Sequence, residues 1–476
     1  MSGILLISPK DSYTLNCPPL GIAYLASYAG VIGKNEVYFH DENFIARYNL
    51  DNELDVAIKK YNPNYIGIAF PSSAIKRVVQ VAQYIKKHHS DITVFAGGYH
   101  PTSEPEATLQ LIPQIDFLIL GQAEYIFGQL GSNWQLMDNI AFLNSHGEYV
   151  QNPIQNHLKT IDDIPIIDRT IFDWKYYRPN HVISGIFGKT ATMMTSRGCP
   201  YYCAFCSNKL INKQVRFHSI NYVIDEIDSI FSQLGKVDYF WFLDVMFLSK
   251  WSRIQELCDT LIRTKIFGKA RWAATVAPNV VSEDKVKLMK EAGCFYLSFG
   301  LESNSPNSLK LMNKVAKPKD NERAVEICKR LGILANSAFL FGIPGETETD
   351  LKDTINFIKK YNIFSTGINT MKPLPGSTYY DQFVSEGIIK KSIEDWHSIS
   401  SIHHSSDYFN HCLSSDIYNS YRQQFYKIIK RNAKSNYLRA NKWKLLKYGW
   451  PLCKNKFHNY FENKTSHNKQ KKKLVM

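Results

Sequence analysis

The sequence predicts an α/β protein: an N-terminal doubly wound parallel sheet, a linker, a partial (β/α) barrel of the TIM type, and a basic helical C-terminal extension. Three observations predict it. Short continuous apolar runs alternate with helix-like stretches over residues 1–135 and again over 188–400. The alternation lapses over residues 136–187. From residue 401 the composition turns helical and then strongly basic. Strands separated by helices must return to the same end of a sheet, which makes their pairing parallel. At 476 residues the chain also exceeds one ordinary core.

In the first segment, Gly3–Ser8 reads as a buried strand. A Pro18-Pro19-Leu20-Gly21 turn leads into a helix over Ile22–Ile32, which Gly33 ends. Strands follow at Val37–His40, Tyr65–Phe70, Ile92–Ala96 and Phe117–Leu120, with a helix at Ala74–Lys87. The strands are unbroken apolar runs, as expected when both sheet faces are covered. Such sheets bind ligands beyond the carboxyl ends of their strands. The loops there are Pro18–Gly21, Pro71–Ser73, Gly97–Thr102 and Gly121–Glu124.

In the second segment, Thr190–Thr195 is a strand that runs into a cysteine-rich loop. Ser219 is the expected N-cap of a helix to Leu234, whose Val223, Ile227, Ile230, Phe231 and Leu234 share one face and which Gly235 ends. Strands are expected at Val237–Leu243, Phe295–Phe299 and Ile333–Phe341. Helices are expected from Ser282 to Gly293 and over Asn321–Leu331. Repeated βα units of this length build a barrel whose site lies at the strand C-termini.

Composition narrows the class. Apolar residues make up 44% and aromatics 13%, enough for sizeable cores. No run of apolar residues is long enough for a membrane-spanning helix, and Met1–Ser8 lacks the basic start of a secretion signal. Nine cysteines, an odd number and mostly scattered, are not a disulfide framework. A reducing cytoplasm is therefore the expected location. From Lys427 onward fifteen Lys and Arg meet one acid, so this end accounts for the whole net charge of +14.

The strongest local signal is Cys199-Pro200-Tyr201-Tyr202-Cys203-Ala204-Phe205-Cys206. Three thiolates this close select zinc or iron–sulfur. A closed structural site needs a fourth protein ligand, and no fourth cysteine lies nearby. Three ligands on a four-iron cube leave one iron open to a cofactor or substrate. A zinc site completed by a histidine such as His218 is the alternative.

This spacing, with an aromatic residue before the last cysteine, resembles the radical S-adenosylmethionine signature. Glu302 in Phe299-Gly300-Leu301-Glu302-Ser303 resembles the acid that this family aims at the cofactor's ribose. Gly342-Ile343-Pro344-Gly345-Glu346-Thr347 resembles its later glycine-proline turn. Phe242-Leu243-Asp244 resembles its strand end, although Val245 replaces the usual second acid. The resemblance implies a [4Fe–4S] cluster on Cys199, Cys203 and Cys206. It implies S-adenosylmethionine contacts from Phe205, Glu302, Gly342, Pro344 and Gly345. In such enzymes the open iron holds the cofactor, and an electron releases a 5′-deoxyadenosyl radical.

The strand-end loops of the first segment resemble the Rossmann-like cobalamin-binding domain fused ahead of many such enzymes. That resemblance implies cobalamin contacts from Pro19, Leu20, Gly21, Ser72, Gly97, Gly98, His100, Gly121 and Glu124. His100 itself reads more readily as a packing or phosphate contact than as a metal ligand. No Asp-x-His-x-x-Gly is present to ligate cobalt. A vestigial domain that binds nothing is the alternative.

Together these features imply a cobalamin-dependent radical enzyme that methylates an unactivated carbon of a small molecule. Oxidative cyclisation or ring rearrangement is the second reading, and a non-catalytic cobalamin or iron–sulfur sensor a third. The expected partners are a small-molecule substrate and an electron donor of flavodoxin or ferredoxin type. Nucleic acid is not expected. The basic, aromatic tail suits a peripheral contact with an anionic membrane, or a solvated lid.

Overall fold

Apolar alternation along β1 (Gly3–Ser8) shows how the first sheet is buried. Ile4 and Leu6 point into one core, and Leu5 and Ile7 into another on the opposite face. β2 (Glu36–Asp41), β3 (Tyr65–Ala69), β4 (Thr93–Gly97) and β5 (Phe117–Ile119) join it in parallel, in the order β2-β1-β3-β4-β5. The computed structural model describes residues 3–11, 17–33, 35–44, 50–131, 133–174, 177, 186, 188–207, 214–268, 270–400 and 412–440. Residues 178–180 of the expected linker, Cys453 and the basic end beyond residue 440 lie outside the described residues.

Helices Leu20–Val31, Leu50–Tyr61 and Ile75–His88 cover the sheet. Val78, Val81, Ala82 and Ile85 form the stripe that the last one buries. Helix Leu50–Tyr61 is absent from the sequence-based expectation. It buries only Leu54, Ala57 and Ile58, too narrow a stripe to stand out.

Two strands correct the expected linker boundary at residue 135. β6 (Ile140–Leu143) and β7 (Tyr149–Gln151) extend the sheet antiparallel beyond β5. They pair an edge that β5 would otherwise expose. The strap that follows is also packed. Leu158, Ile161, Ile164, Ile167, Phe172 and Tyr177 bury against Leu20, Tyr24 and Tyr28 of the first helix.

The second sheet begins with β8 (Thr190–Met193). A small antiparallel ribbon follows, β9 (Ser196–Arg197) with β10 (Arg216–Phe217). The sheet resumes with β11 (Tyr239–Phe242), β12 (Arg271–Val276), β13 (Cys294–Glu302), β14 (Leu334–Phe341) and β15 (Phe364–Thr370). Its six strands run parallel in the order β15-β14-β13-β12-β11-β8, an open barrel. β12 and β15 are strands that the sequence reading leaves out. Helices Ile220–Leu234, Trp251–Thr264, Glu283–Glu291, Pro318–Leu331 and Glu348–Tyr361 connect them. Ser219 does cap the first of these, its hydroxyl accepting from the Tyr222 amide. The helix Ser415–Ala440 lies against the β14–β15 side, with Phe425 edge-on to Phe339 and Phe341. No helix among the described residues is long and apolar enough to cross a membrane.

One core belongs to both sheets. It joins Val78, Ile85 and Ala96 of the first with Leu340, Ile343, Tyr379 and Trp396 of the second. Ala204, in the middle of the cysteine loop, is buried in it.

Candidate active site at the facing strand ends

The chain enters the cysteine loop through a buried polar clamp. Asp244, 1% exposed at the end of β11, accepts from the Thr195 amide and hydroxyl and from the Ser196 hydroxyl, each at 2.6 Å. Arg253 donates to the carbonyls of Thr195 at 2.9 Å and His218 at 2.8 Å. Burial pushes the Asp244 carboxyl up, and its hydrogen bonds and Arg253 oppose that. The role left open for Asp244 by the sequence is thus visible: it ties β8 to β11 just ahead of Cys199. Gly198 follows at φ +102°, and a Cβ there would stand 2.4 Å from the Gln214 carbonyl oxygen. Only glycine fits.

The chain leaves the loop on softer contacts. The Ala204 amide donates to Met312 at 2.9 Å, and its carbonyl accepts from Tyr379 at 3.1 Å. Asn313 donates to the Tyr202 carbonyl at 2.8 Å. The Cys206 amide donates to the Cys203 carbonyl at 3.1 Å, closing a turn between the last two sulfurs. Phe205 packs partly buried against the shared core.

Cys199, Cys203 and Cys206 are all partly exposed and none is in a disulfide. Cys17, Cys258, Cys294 and Cys328 are buried. Burial raises the Cys199 and Cys203 thiols, the latter to about 11. The neighbouring thiols add to this, and Lys314 opposes it. Cys199 and Cys203 are both within electrostatic reach of Cys206. A bound metal reverses the balance, because a coordinating thiol loses its proton. Among the described residues no three His, Cys, Asp or Glu side chains close on a single ion. Three thiolates with no fourth cysteine beside them are the donor set of a cube with one open iron rather than of a closed zinc site. His218, which would complete a zinc site, is buried 2.9 Å from Asp162 and stacked on Tyr222.

Glu302 ends β13 at a register shift, with φ +63°. Its carboxylate folds back over Gly300, where a Cβ would meet it at 2.6 Å. Lys314 lies 3.9 Å away and donates to the Gly300 carbonyl at 2.8 Å. Burial raises the Glu302 carboxyl and Lys314 lowers it. Glu302 also adds to the field at Cys203. The structure therefore brings Glu302, Lys314 and the cysteines into one electrostatic neighbourhood. Lys314 was not among the residues singled out from the sequence. In the turn Gly342–Thr347, Gly342 and Gly345 have positive φ. Glu346 accepts from the Gly342 amide at 2.8 Å and from Ser308 at 3.1 Å, and burial lifts its carboxyl to about 7. Pro344 sits at the crest of that turn, partly exposed.

The strand ends of the first sheet face the cysteine loop. Leu20 and Tyr24 share a core with Met194 and Leu243, at the ends of β8 and β11. Tyr99, half exposed after β4, feels the charge of Cys206. Pro19, Gly21, Gly97, Gly98 and Gly121 are at least partly exposed at these ends, and a Cβ at Gly21 would meet nothing within 4 Å. Two residues carried over from the cobalamin resemblance have other partners. Glu124 pairs with Arg197 at 2.5 Å, both nearly buried, and Arg197 lies over the Tyr24 ring. His100, 1% exposed, bonds to Ser72 at 2.8 Å and stands edge-on to Trp396. Burial holds its imidazole down to about 3, so it is neutral. Gln122 likewise accepts from Arg216 on β10.

Comparisons with known proteins agree with this architecture. Residues 193–358 match the Radical SAM superfamily, and residues 10–131 match the B12 binding domain. An uncharacterized methyltransferase of Pyrococcus horikoshii is 31% identical, over 82% of this chain and 84% of that one. An anaerobic magnesium-protoporphyrin IX monomethyl ester cyclase of Rubrivivax gelatinosus is 25% identical, over 77% and 66%. Among solved structures, the methyltransferase TsrM of Kitasatospora setae, with cobalamin and a [4Fe–4S] cluster bound, superposes with TM-score 0.67. It is 18% identical, and the match covers 81% of this chain and 75% of that one. The cobalamin-dependent radical enzyme OxsB superposes with TM-score 0.63 at 18% identity, over 83% and 56%. The cofactors of the two matched domains are a [4Fe–4S] cluster with S-adenosylmethionine, which supplies radical chemistry, and cobalamin. The chain belongs to the radical S-adenosylmethionine enzymes that carry a B12 binding domain ahead of the radical domain.

Proposed function

We propose that the chain methylates an unactivated carbon of a small molecule, with cobalamin as the methyl carrier. One observation carries this reading: the carboxyl ends of both sheets converge on the cysteine loop, through Leu20 and Tyr24 against Met194 and Leu243. A methyl carrier and a radical source must reach the same carbon, and opposed strand ends hold two cofactors in that relation. The methyltransferase relative that aligns over most of both chains supports it. The mostly scattered cysteines, none in a disulfide among the described residues, favour a reducing cytoplasm as its location. Cyclisation is the second reading, favoured by the cyclase relative.

The test is anaerobic turnover of the reconstituted chain in a cell extract with methyl-labelled S-adenosylmethionine, followed by mass spectrometry. The label in a new carbon–methyl bond, accompanied by 5′-deoxyadenosine, is the expected result. Deoxyadenosine with a dehydrogenated or cyclised product and no label transfer would overturn methylation in favour of the second reading.

A further inference from the structure

Radical formation consumes an electron, and the chain must receive it from outside. The inner side of the cysteine loop is closed by the first sheet, through Ala204 and Phe205 in the shared core and Arg197 on Glu124. Its outer side is bare. Tyr202, the residue before Cys203, is 61% exposed, and Val315, two residues after the Asn313 that bonds to Tyr202, is 58% exposed. The Asn313 side chain holds the Tyr202 carbonyl, so the loop and segment 313–315 form one rim.

That rim is basic. From Ser303 to Lys319 the chain carries Lys310, Lys314, Lys317 and Lys319 and no acid. Lys310, Lys317 and Lys319 are exposed, and none makes an ion pair among the described residues. Lys314 turns inward to Glu302 and the cysteines. Beyond Tyr201, whose hydroxyl meets Asn279, lies a groove of mixed charge, where Glu283 and Glu326 stand among Lys285, Arg323 and Arg330, so the basic rim ends there. Exposed large apolar groups circled by unpaired like charges are the composition of a transient docking patch.

We propose that this rim docks an acidic electron-carrier protein, a flavodoxin or a ferredoxin. The proposal rests on the cluster assignment above, which implies such a donor, and adds its place on the chain. Lys310, Lys317 and Lys319 steer the acidic face in, and Tyr202 and Val315 make the dry contact next to Cys203. In the step an anionic flavodoxin hydroquinone gives one electron to the oxidised cluster and becomes the neutral semiquinone, with no proton released. No bond of the chain is made or broken.

The test follows flavin oxidation after anaerobic mixing of the cluster-loaded full chain with reduced flavodoxin. The bimolecular rate is expected to fall steeply between about 0.01 and 0.15 M salt, as screening shortens the reach of charge. The triple variant Lys310→Glu/Lys317→Glu/Lys319→Glu is expected to be about ten-fold slower at low salt, with little salt dependence. Photoreduced deazaflavin, a small donor, should reduce both proteins equally. Equal flavodoxin rates for the two would overturn the proposal. Calorimetric titration of flavodoxin into the iron-free chain supplies a readout independent of the cluster. Binding at low salt that the triple variant loses supports the docking surface even if no iron loads, an outcome that would defeat the site assignment instead. Equal binding by both chains, or displacement of flavodoxin by duplex RNA held on the same lysines, would overturn the surface.

Discussion

The two flanks of the cysteine loop are built from opposite materials. On the inner flank, Asp244, Arg253, Arg197 and Glu124 are charged, nearly buried and joined to one another's elements by short contacts. On the outer flank, Tyr202 and Val315 lie open, and the Tyr202 carbonyl is held by the Asn313 side chain. The difference shows a division of labour. Buried charge has few satisfactory geometries, so the inner flank fixes the cysteine loop relative to both sheets. Exposed apolar and unpaired basic groups fix nothing in the fold, which leaves the outer flank free for a passing partner.

The sharpest way to break this contrast is to remove one buried charge. Arg197→Leu leaves Glu124 nearly buried without its partner and is expected to destabilise by about 3–5 kcal/mol. The double variant Glu124→Leu/Arg197→Leu should recover much of that loss. The same kind of change outside, Val315→Ser, should stay within about 0.5 kcal/mol. Chemical denaturation of the three variants checks this; equal losses inside and outside would erase the distinction.

A smaller effect concerns the core behind the loop. His100 is neutral when folded, held down to about 3 by burial, whereas an unfolded imidazole protonates near 6.5. Its contribution is full above that value and is lost as pH falls from about 6.5 towards about 3. At pH 5 the loss relative to pH 8 is about 2 kcal/mol. Glu346, lifted to about 7, acts in the opposite direction over part of this range. The readout is therefore the difference between the native chain and His100→Asn, measured by denaturation at both pH values. A difference that does not change with pH would show that His100 is not the neutral packing group described.

Legibility in the sequence followed the type of signal. Gly3–Ser8 is visible because four consecutive apolar residues serve two cores at once. β15, Phe-Ser-Thr-Gly-Ile-Asn-Thr, is too polar to read as a strand and is made one by pairing with β14. β6 and β7 are short and take their place from the edge of β5. The cysteine trio and Glu302 are legible as local motifs. Arg197, Lys314 and Tyr99 are not, because their importance lies in partners far along the chain: Glu124, Glu302 and Cys206. His100 and Glu124 show the converse. Each lies in a recognisable loop, yet the fold turns one into the shared core and the other onto Arg197.

The most direct measurement is metal and sulfide analysis of the full chain reconstituted without oxygen, beside Cys199→Ala/Cys203→Ala/Cys206→Ala. About four irons with matching sulfide in the native chain, and almost none in the variant, is the expected result. Zinc in place of iron, or iron retained by the variant, would contradict a cluster held by these three sulfurs between the two sheets.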